Sequence, residues 1–145
     1  MAILNYTTTV DAHRTAAEVT RLLARHGASA VVIRYAGGDP AGVSFVLPTP
    51  HGDRHFVMPV DVDGVHAALL AQRVPPRYTT EAHARRVAWR IVKDFIESAL
   101  AMIEARQATM VQIMLPYLVV DLGGTTLYDP YRDNEARALT VGSEP

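Results

Sequence analysis

Residues 85–105 read RRVAWRIVKDFIESALAMIEA, and this stretch decides the fold. It contains no glycine or proline, and apolar side chains recur every three or four positions, which predicts about six unbroken turns of amphipathic helix. We expect Thr79 or Thr80 to cap a helix over about residues 81–105. The apolar face predicted to pack in the core consists of Ala84, Ala88, Ile91, Val92, Phe95, Ala99, Met102 and Ile103.

The first half of the chain carries the pattern of a small antiparallel sheet. Four segments that are β-branched or alternate in polarity predict strands at residues 6–10, 29–35, 41–48 and 54–60. The short turns GGDP and TPHGD join the last three segments. Connections this short join antiparallel neighbours, because a parallel return needs a crossover of about a dozen residues.

Two shorter helices accompany the sheet. Residues 15–27 predict the first helix, in which Thr15 and Glu18 have the spacing of a capping box. Asp61 is expected to cap a second helix over residues 62–73. The following VPP ends that helix, because proline cannot donate a backbone hydrogen bond.

These elements predict an α+β fold, in which helices cover a small antiparallel sheet made of an N-terminal strand and a three-strand meander. A helix of about 25 residues spans roughly 37 Å, more than the width of four strands about 4.8 Å apart. Its overhanging end must be covered by residues 110–120 folding back, by a second copy of the chain, or by both. Residues 1–131 are predicted to form one domain, which ends in two extended pieces around a Gly-Gly turn, and residues 132–145 a mobile tail.

Composition and charge restrict the classes of function. Of the 145 residues, 49% are hydrophobic and 20% are charged, as is usual for a globular protein, and no apolar run is long enough to span a bilayer. The N-terminus lacks the pattern of a secretory signal and the chain has no cysteine, which favours the cytoplasm. The net charge of -1 supplies no overall attraction to nucleic acid or to an anionic membrane, so such affinity would need a local patch.

Candidate catalytic and metal-binding groups are few. His51 and His55 stand four apart with Asp53 between them, but Gly52 and the nearby prolines place them in a turn that enters a strand. No cysteine accompanies them at ligand spacing. The serines lack a nucleophile elbow, and the two Gly-Gly pairs match neither a phosphate loop nor a dinucleotide fingerprint. We therefore predict no metal, no cofactor and no enzymatic activity.

A basic row on the long helix is the most suggestive feature for nucleic-acid binding. Arg86, Arg90 and Lys93 recur at positions i, i+4 and i+7, with Arg85 beside them and Trp89 at the border of the apolar face. Such a row could lie along phosphates while the indole stacks on a base. Two alternatives stay open, since acidic residues further along the same face could neutralise the row and the tryptophan could belong to the edge of the core.

A protein-binding or assembly role is the main functional prediction, reached by elimination. The long helix and the apolar stretch IMLPYLVV are features of a module that docks on itself or on another protein. The candidate interface residues are Ile96, Leu100, Met114, Leu115 and Leu118. A homodimer or a complex with a second protein is expected, with nucleic acid as the alternative partner and no membrane association. An enzyme whose site is assembled from distant residues is the third possibility.

The order of several segments resembles a known family. NYTTTVD, EVTRLLARHGA, VSFVLPT, FVMPVDVDGV, RVAWRIVKDFIESALAMIEA, LPYLV and GTTLYDPY follow one another as they do in a family of small uncharacterised bacteriophage and prophage proteins. The resemblance covers the chain to about Tyr131. In similar sequences the long-helix motif tends to carry tryptophan and lysine where this chain has Phe95 and Arg86. The resemblance implies a phage or prophage origin and a place in the host cytoplasm, and it carries over no catalytic residue.

Overall fold

The computed structural model describes residues 1–134, in which five helices pack with a three-stranded antiparallel sheet. The helices are α1 (Ala12–Arg25), α2 (Val62–Ala71), α3 (Glu81–Glu104), α4 (Met110–Met114) and α5 (Tyr128–Asp133). The strands are β1 (Ala30–Ala36), β2 (Asp39–Thr49) and β3 (Gly52–Pro59). Short 3₁₀ turns at Pro76–Tyr78 and Leu115–Tyr117 precede α3 and follow α4. The predicted α+β class is confirmed.

The sheet has the order β1-β2-β3, and both pairings are antiparallel. Alternate residues of the strands point toward the helices, because successive side chains of a strand face opposite sides. The buried side chains of β2 and β3 on that side are Val43, Phe45, Leu47, Phe56 and Met58. Phe45 and Phe56 are cross-strand partners, and their rings stack with centroids 5.7 Å apart. The core therefore lies between the helices and this side of the sheet.

The predicted N-terminal strand is wrong, because residues 6–10 do not join the sheet. The backbone turns at Asn5, whose φ is 66°, and the N–H of Thr8 donates to the carbonyl of Asn5 at 3.0 Å. The carbonyl of Tyr6 then accepts a 2.6 Å hydrogen bond from the buried imidazole of His83 on α3. A local turn and a side chain thus satisfy the backbone groups that a strand would have offered to the sheet.

Helix α1 begins three residues earlier than predicted. The carboxylate of Asp11, rather than the hydroxyl of Thr15, caps the helix by accepting the N–H of His13 at 2.8 Å. Thr15 lies inside the helix and is fully buried. The predicted capping box is therefore wrong, whereas the caps predicted at Asp61 and Thr80 are confirmed.

Helix α3 has the predicted length, but its buried side chains do not form one stripe. Helices α1, α2 and α4 all contact it, so buried residues are spread around its axis. They are His83, Ala84, Val87, Ala88, Trp89, Ile96, Ala99 and Leu100. Phe95 and Met102 are 40% and 42% exposed. The predicted apolar face is therefore wrong at those two positions, because several neighbours share the surface of the helix.

The segment after α4 folds back over the core and extends the sheet beyond β3. Its backbone pairs with the strand where the N–H of Val119 donates to the carbonyl of His55 at 2.9 Å. The chain then reverses at Gly124, whose φ is 83°, and the N–H of Leu127 donates to the carbonyl of Leu118 at 2.8 Å. The two extended pieces around a Gly-Gly turn are thus confirmed.

Residues 110–120 cover α3 as predicted. Met114 is fully buried, and the ring of Tyr117 packs edge-to-face on Phe95 with centroids 6.2 Å apart. The fold-back alternative is therefore confirmed. Cover by a second copy of the chain stays a prediction.

Helix α5 ends at Asp133, so Arg132 and Asp133 of the predicted tail are helical. Residues 135–145 of that tail lie outside the described residues. Within residues 1–134, none of the helices combines the length and the hydropathy needed to cross a membrane.

Candidate docking surface

Trp89 is not free to stack on a base, so this part of the nucleic-acid prediction is wrong. Its side chain is fully buried, and the indole N–H donates to the carbonyl of Pro40 at 2.9 Å. A buried indole whose one hydrogen-bond donor is satisfied belongs to the core. This agrees with the alternative that placed the tryptophan in the core.

The basic row of α3 is largely paired with carboxylates. The pairs are Arg90 with Glu18 at 2.6 Å, Arg85 with Asp39 at 3.5 Å and with Glu81 at 3.3 Å, and Lys93 with Glu97. The pKa of the Asp11 carboxyl is lowered mainly by the backbone N–H of His13, and the charge of Arg86 adds a smaller effect. Three of the four cations of the row therefore have carboxylate partners, whereas Arg86 has no ion-pair partner within residues 1–134.

Three of the five predicted interface residues lie in the core. Ile96, Leu100 and Met114 are at most 2% exposed. A second chain could not contact them unless the domain opened, so the interface prediction is wrong at these positions. Leu115 is exposed and Leu118 is half-buried, and these two remain candidates.

Two open hollows with mainly apolar linings share Leu115, and together they are here called the C-terminal groove. The first has a volume of about 200 Å³ and is lined by Thr49, His51, Arg54, Phe56, Val111, Leu115 and Leu118. The second has a volume of about 280 Å³ and is lined by Leu115, Pro116, Leu127, Tyr128 and Tyr131. Sequence reasoning had found only Leu115 and Leu118 of these residues.

The local sequence explains how the groove forms. Thr109 and Gln112 cap the start of α4 reciprocally, and Pro116 then turns the chain into the extended pieces that follow. The carboxylate of Asp121 holds the next turn by accepting the N–H of Thr125 at 3.0 Å. This bond is the largest cause that lowers the pKa of the Asp121 carboxyl.

Helix α5 supplies the outer wall of the groove. The rings of Tyr128 and Tyr131 stand 6.3 Å apart, and the guanidinium of Arg132 lies 5.9 Å from the centre of the Tyr128 ring. The side chain of Asp129 accepts the N–H of Thr126 at 2.9 Å and fixes the start of the helix. The spacing in YDPY places both tyrosines on one face of a helix, because residues three apart share a face, but it does not show that this face lies beside Leu115.

The rim of the first hollow is cationic. Arg54 has no ion-pair partner within residues 1–134 and donates only to the carbonyl of its neighbour Asp53, at 3.3 Å. His51 lies beside it on the β2–β3 hairpin and is exposed. The groove thus combines an apolar floor with a basic end.

A second surface, here called the α1–α3 groove, lies between those two helices. It has a volume of about 260 Å³ and is lined by Glu18, Arg21, Leu22, Arg25, Arg90, Lys93 and Glu97. Among the described residues, neither Arg21 nor Arg25 has an ion-pair partner. Sequence reasoning missed both arginines, although their i, i+4 spacing places them on one face of α1.

The histidines do not assemble a metal site within residues 1–134, where no three His, Asp or Glu side chains converge. His51 and His55 are exposed on the β2–β3 hairpin. The other four hydrogen-bond to backbone carbonyls: His13 to Gly38, His26 to Leu22, His66 to Thr79 and His83 to Tyr6. The contacts of His13, His66 and His83 tie loops to helices, whereas that of His26 closes the end of α1.

Comparison with protein-family models, curated proteins and solved structures finds no match to this chain. Any proposal about function therefore rests on the sequence and on the geometry of the two grooves.

Proposed function

We propose that this chain is a non-enzymatic accessory protein of bacteriophage or prophage type, which works in the host cytoplasm by binding another protein. The phage setting and the location rest on the sequence patterns alone. The observation that supports the binding role is the C-terminal groove, which is open to solvent although its lining is mainly apolar.

The exposed side chains of this groove are clustered rather than scattered. Leu115, Leu127, Tyr128 and Tyr131 are all exposed, and they line the same hollow. Single apolar residues on a surface are ordinary, whereas a cluster around a concave patch is typical of a binding site. Tyrosine suits such a site because its ring supplies contact area while its hydroxyl stays in water.

The charge of the rim indicates the chemistry of the partner. A segment that inserts aliphatic or aromatic anchors into the hollows would bring its neighbouring residues close to Arg54 and His51. An acidic residue at that point would pair with a guanidinium that is otherwise unpaired within residues 1–134. We therefore propose as occupant an apolar protein segment flanked by aspartate or glutamate.

A library of displayed random peptides, selected against the immobilised full-length protein, tests this role. We expect the enriched peptides to share apolar anchors next to an acidic residue. Leu115→Asp places a carboxylate between the hollows and should weaken those peptides by at least about tenfold. The matched control is Leu122→Asp, because Leu122 is fully exposed and does not line the groove.

Two results would count against the proposal. The selection could enrich no peptide above background, or the enriched peptides could bind the Leu115→Asp and Leu122→Asp variants equally well. Arg54→Glu supplies a further check, since it should weaken peptides with acidic flanks and favour peptides with basic ones.

Nucleic-acid binding is the second candidate, and the α1–α3 groove is the observation that favours it. Arg21 and Arg25 add two unpaired cations beside Arg90 and Lys93, so cations outnumber carboxylates along the groove. Phosphates could lie between the two helices and displace the weaker ion pairs.

A single-stranded oligonucleotide of mixed sequence, titrated at low and physiological salt, tests this candidate. Replacing Arg21 and Arg25 together with glutamate should remove the affinity and flatten its salt dependence. Replacing Arg73 and Arg106, which are exposed elsewhere, changes the net charge equally and should have little effect. A protein that does not bind the oligonucleotide at low salt would eliminate the candidate.

A further inference from the structure

Strand β1 is an open edge of the sheet. It pairs with β2 on one side, and no described residue makes a backbone hydrogen bond to its other side. Its sequence, AVVIRYA, is rich in β-branched residues and contains neither lysine nor proline. Its one charged side chain, Arg34, lies against Gly42 of β2. Val32 and Tyr35 on this strand are 58% and 57% exposed. The strand therefore offers both unpaired backbone groups and apolar side chains.

The opposite edge of the sheet is partly covered by residues 118–127, which meet β3 at one bridge, between Phe56 and Leu118. Its outermost segment, residues 125–127, uses all three backbone N–H groups internally. The acceptors are the carboxylate of Asp121 for Thr125 at 3.0 Å, the carboxylate of Asp129 for Thr126 at 2.9 Å, and the carbonyl of Leu118 for Leu127 at 2.8 Å. Pairing of β1 with the same strand of a second copy about a two-fold axis uses up the open edge on both copies, so this contact closes at two copies.

We infer that two copies of this chain pair through β1 in antiparallel fashion and form one continuous sheet of six main strands. When a two-fold axis relates the two copies, their β1 strands run antiparallel. Each backbone N–H of one strand then faces a carbonyl of the other, and the same residues form the contact on both copies. The partner's strand would satisfy the outer backbone groups of β1 and cover Val32. This surface is distinct from the C-terminal groove, and the dimer would leave that groove free on both copies.

Helix α1 presents a face that fits such a pairing. His13, Ala17, Thr20 and Ala24 follow one another at i, i+4, i+7 and i+11, so they share one side of the helix. His13 on this side stacks on Tyr35 of β1 with centroids 6.2 Å apart, whereas Arg90 of α3 lies on the other side, at Glu18. The side of α1 that lies nearest the open edge of β1 thus consists mainly of small residues.

Small residues on that side permit two α1 helices to approach across the dimer axis. Helix α1 contacts both β1 and β2. Because strands are about 4.8 Å apart, two helices that each lie between the last two strands of their own copy would be roughly 10 Å apart, close to the packing distance of about 8–10 Å. Alanine and threonine keep that distance short without a clash. A second copy therefore fits this edge better than a peptide from another protein, which would bring no matching helix.

Sedimentation equilibrium of the full chain over a dilution series tests the inference. We expect a species of twice the monomer mass of 15.8 kDa that dissociates on dilution. Val32→Lys introduces the usual protection of an edge strand and should weaken the dimer at least about tenfold. Val120→Lys is the matched control, because Val120 is a 50% exposed valine on the far side of the sheet, and it should leave the dimer unchanged.

Amide hydrogen exchange of the unmodified protein decides the question independently of any variant. Amides of residues 30–36 should exchange more slowly at concentrations where the dimer forms than after dilution. A protein that is monomeric at every concentration would overturn the inference. So would a dimer that withstands Val32→Lys and leaves those amides unprotected, because it would have to use another surface.

The outcome is separable from that of the peptide selection. Val32→Lys should not change the affinity of selected peptides, and Leu115→Asp should not change the dimer. Either proposal can therefore fail while the other holds.

Discussion

The indole N–H of Trp89 donates a 2.9 Å hydrogen bond to the carbonyl of Pro40, and both residues are buried. This contact joins α3 to the first residues of β2 across 49 positions of sequence. Since Pro40 pairs with Tyr35 of β1 at the irregular end of that ladder, the indole also supports the place where the register shifts. Inside the apolar core, this polar contact thus joins the longest helix to the sheet, and the ion pair of Arg85 with Asp39 joins the same two elements nearer the surface.

Replacing Trp89 with phenylalanine should destabilise the protein by about 2–4 kcal/mol, because it leaves a buried carbonyl without a donor and a void beside it. Urea unfolding followed by circular dichroism measures the loss. Phe95→Leu is the control on the same helix, because this aromatic side chain is 40% exposed and loses only its edge-to-face contact with Tyr117. A loss for Trp89→Phe no larger than that of the control would mean that the contact is not important for stability.

Leu100→Ala should cost about 2–5 kcal/mol, because the side chain is 2% exposed and its removal leaves a cavity. Leu70→Ala, at a helix position that is 56% exposed, should change the stability by about 0.5 kcal/mol or less. Chemical denaturation of the two variants provides the comparison. If Leu100→Ala were as stable as Leu70→Ala but shifted the oligomeric state, the original interface prediction would be restored.

The order and type of most elements could be predicted because local rules decide them. The Gly-Gly and Pro-rich turns separate the strands, and Asp61 and Thr80 cap their helices as the sequence predicts. The strand predicted at residues 6–10 failed because β-branched residues fit a strand only when a neighbouring strand is available. Here the carbonyl of Tyr6 instead accepts a hydrogen bond from the imidazole of His83, 77 positions away in the sequence.

The candidate site was harder to predict than the fold. Periodicity shows which residues of a helix are apolar, but it does not show how many neighbours the helix has. Ile96 and Leu100 were therefore placed at the border of the apolar face, whereas both are buried in the core. The tyrosines of α5 were missed for a related reason, because nothing local says that Tyr128 and Tyr131 lie beside Leu115.

The pair formed by Arg90 and Glu18 should stabilise the protein more than the pair formed by Lys93 and Glu97. Arg90 and Glu18 join two helices and are only 18% and 25% exposed, whereas Glu97 is 54% exposed. Double-mutant cycles with alanine should give a coupling of about 1–3 kcal/mol for the first pair and about 0.3–0.5 kcal/mol for the second. A coupling for the first pair no larger than that for the second would show that the partial burial of Arg90 and Glu18 does not strengthen their interaction.

The carboxylate of Asp11 should make the stability of α1 depend on pH. Its pKa is lowered below the usual value, chiefly by the backbone N–H of His13, so the charged form is favoured by folding. Such a group stabilises the folded state above its unfolded pKa of about 3.9, and this stabilisation is lost as the pH falls through the lower folded value. The helix cap should therefore weaken in acid.

Two variants separate the charge of Asp11 from its hydrogen bond. Asp11→Ala removes the cap and should cost about 1 kcal/mol at neutral pH. Asp11→Asn keeps a side-chain oxygen that can accept the N–H of His13, as the carboxylate does now. It should therefore reduce the stability less than Asp11→Ala does. Urea unfolding at neutral and acidic pH should show the wild type and Asp11→Asn converging in acid, where the wild-type carboxyl is protonated. If the free energies of unfolding of the two proteins differed by the same amount at every pH, the charge of Asp11 would not be the cause, because only a titrating charge makes the two values converge in acid.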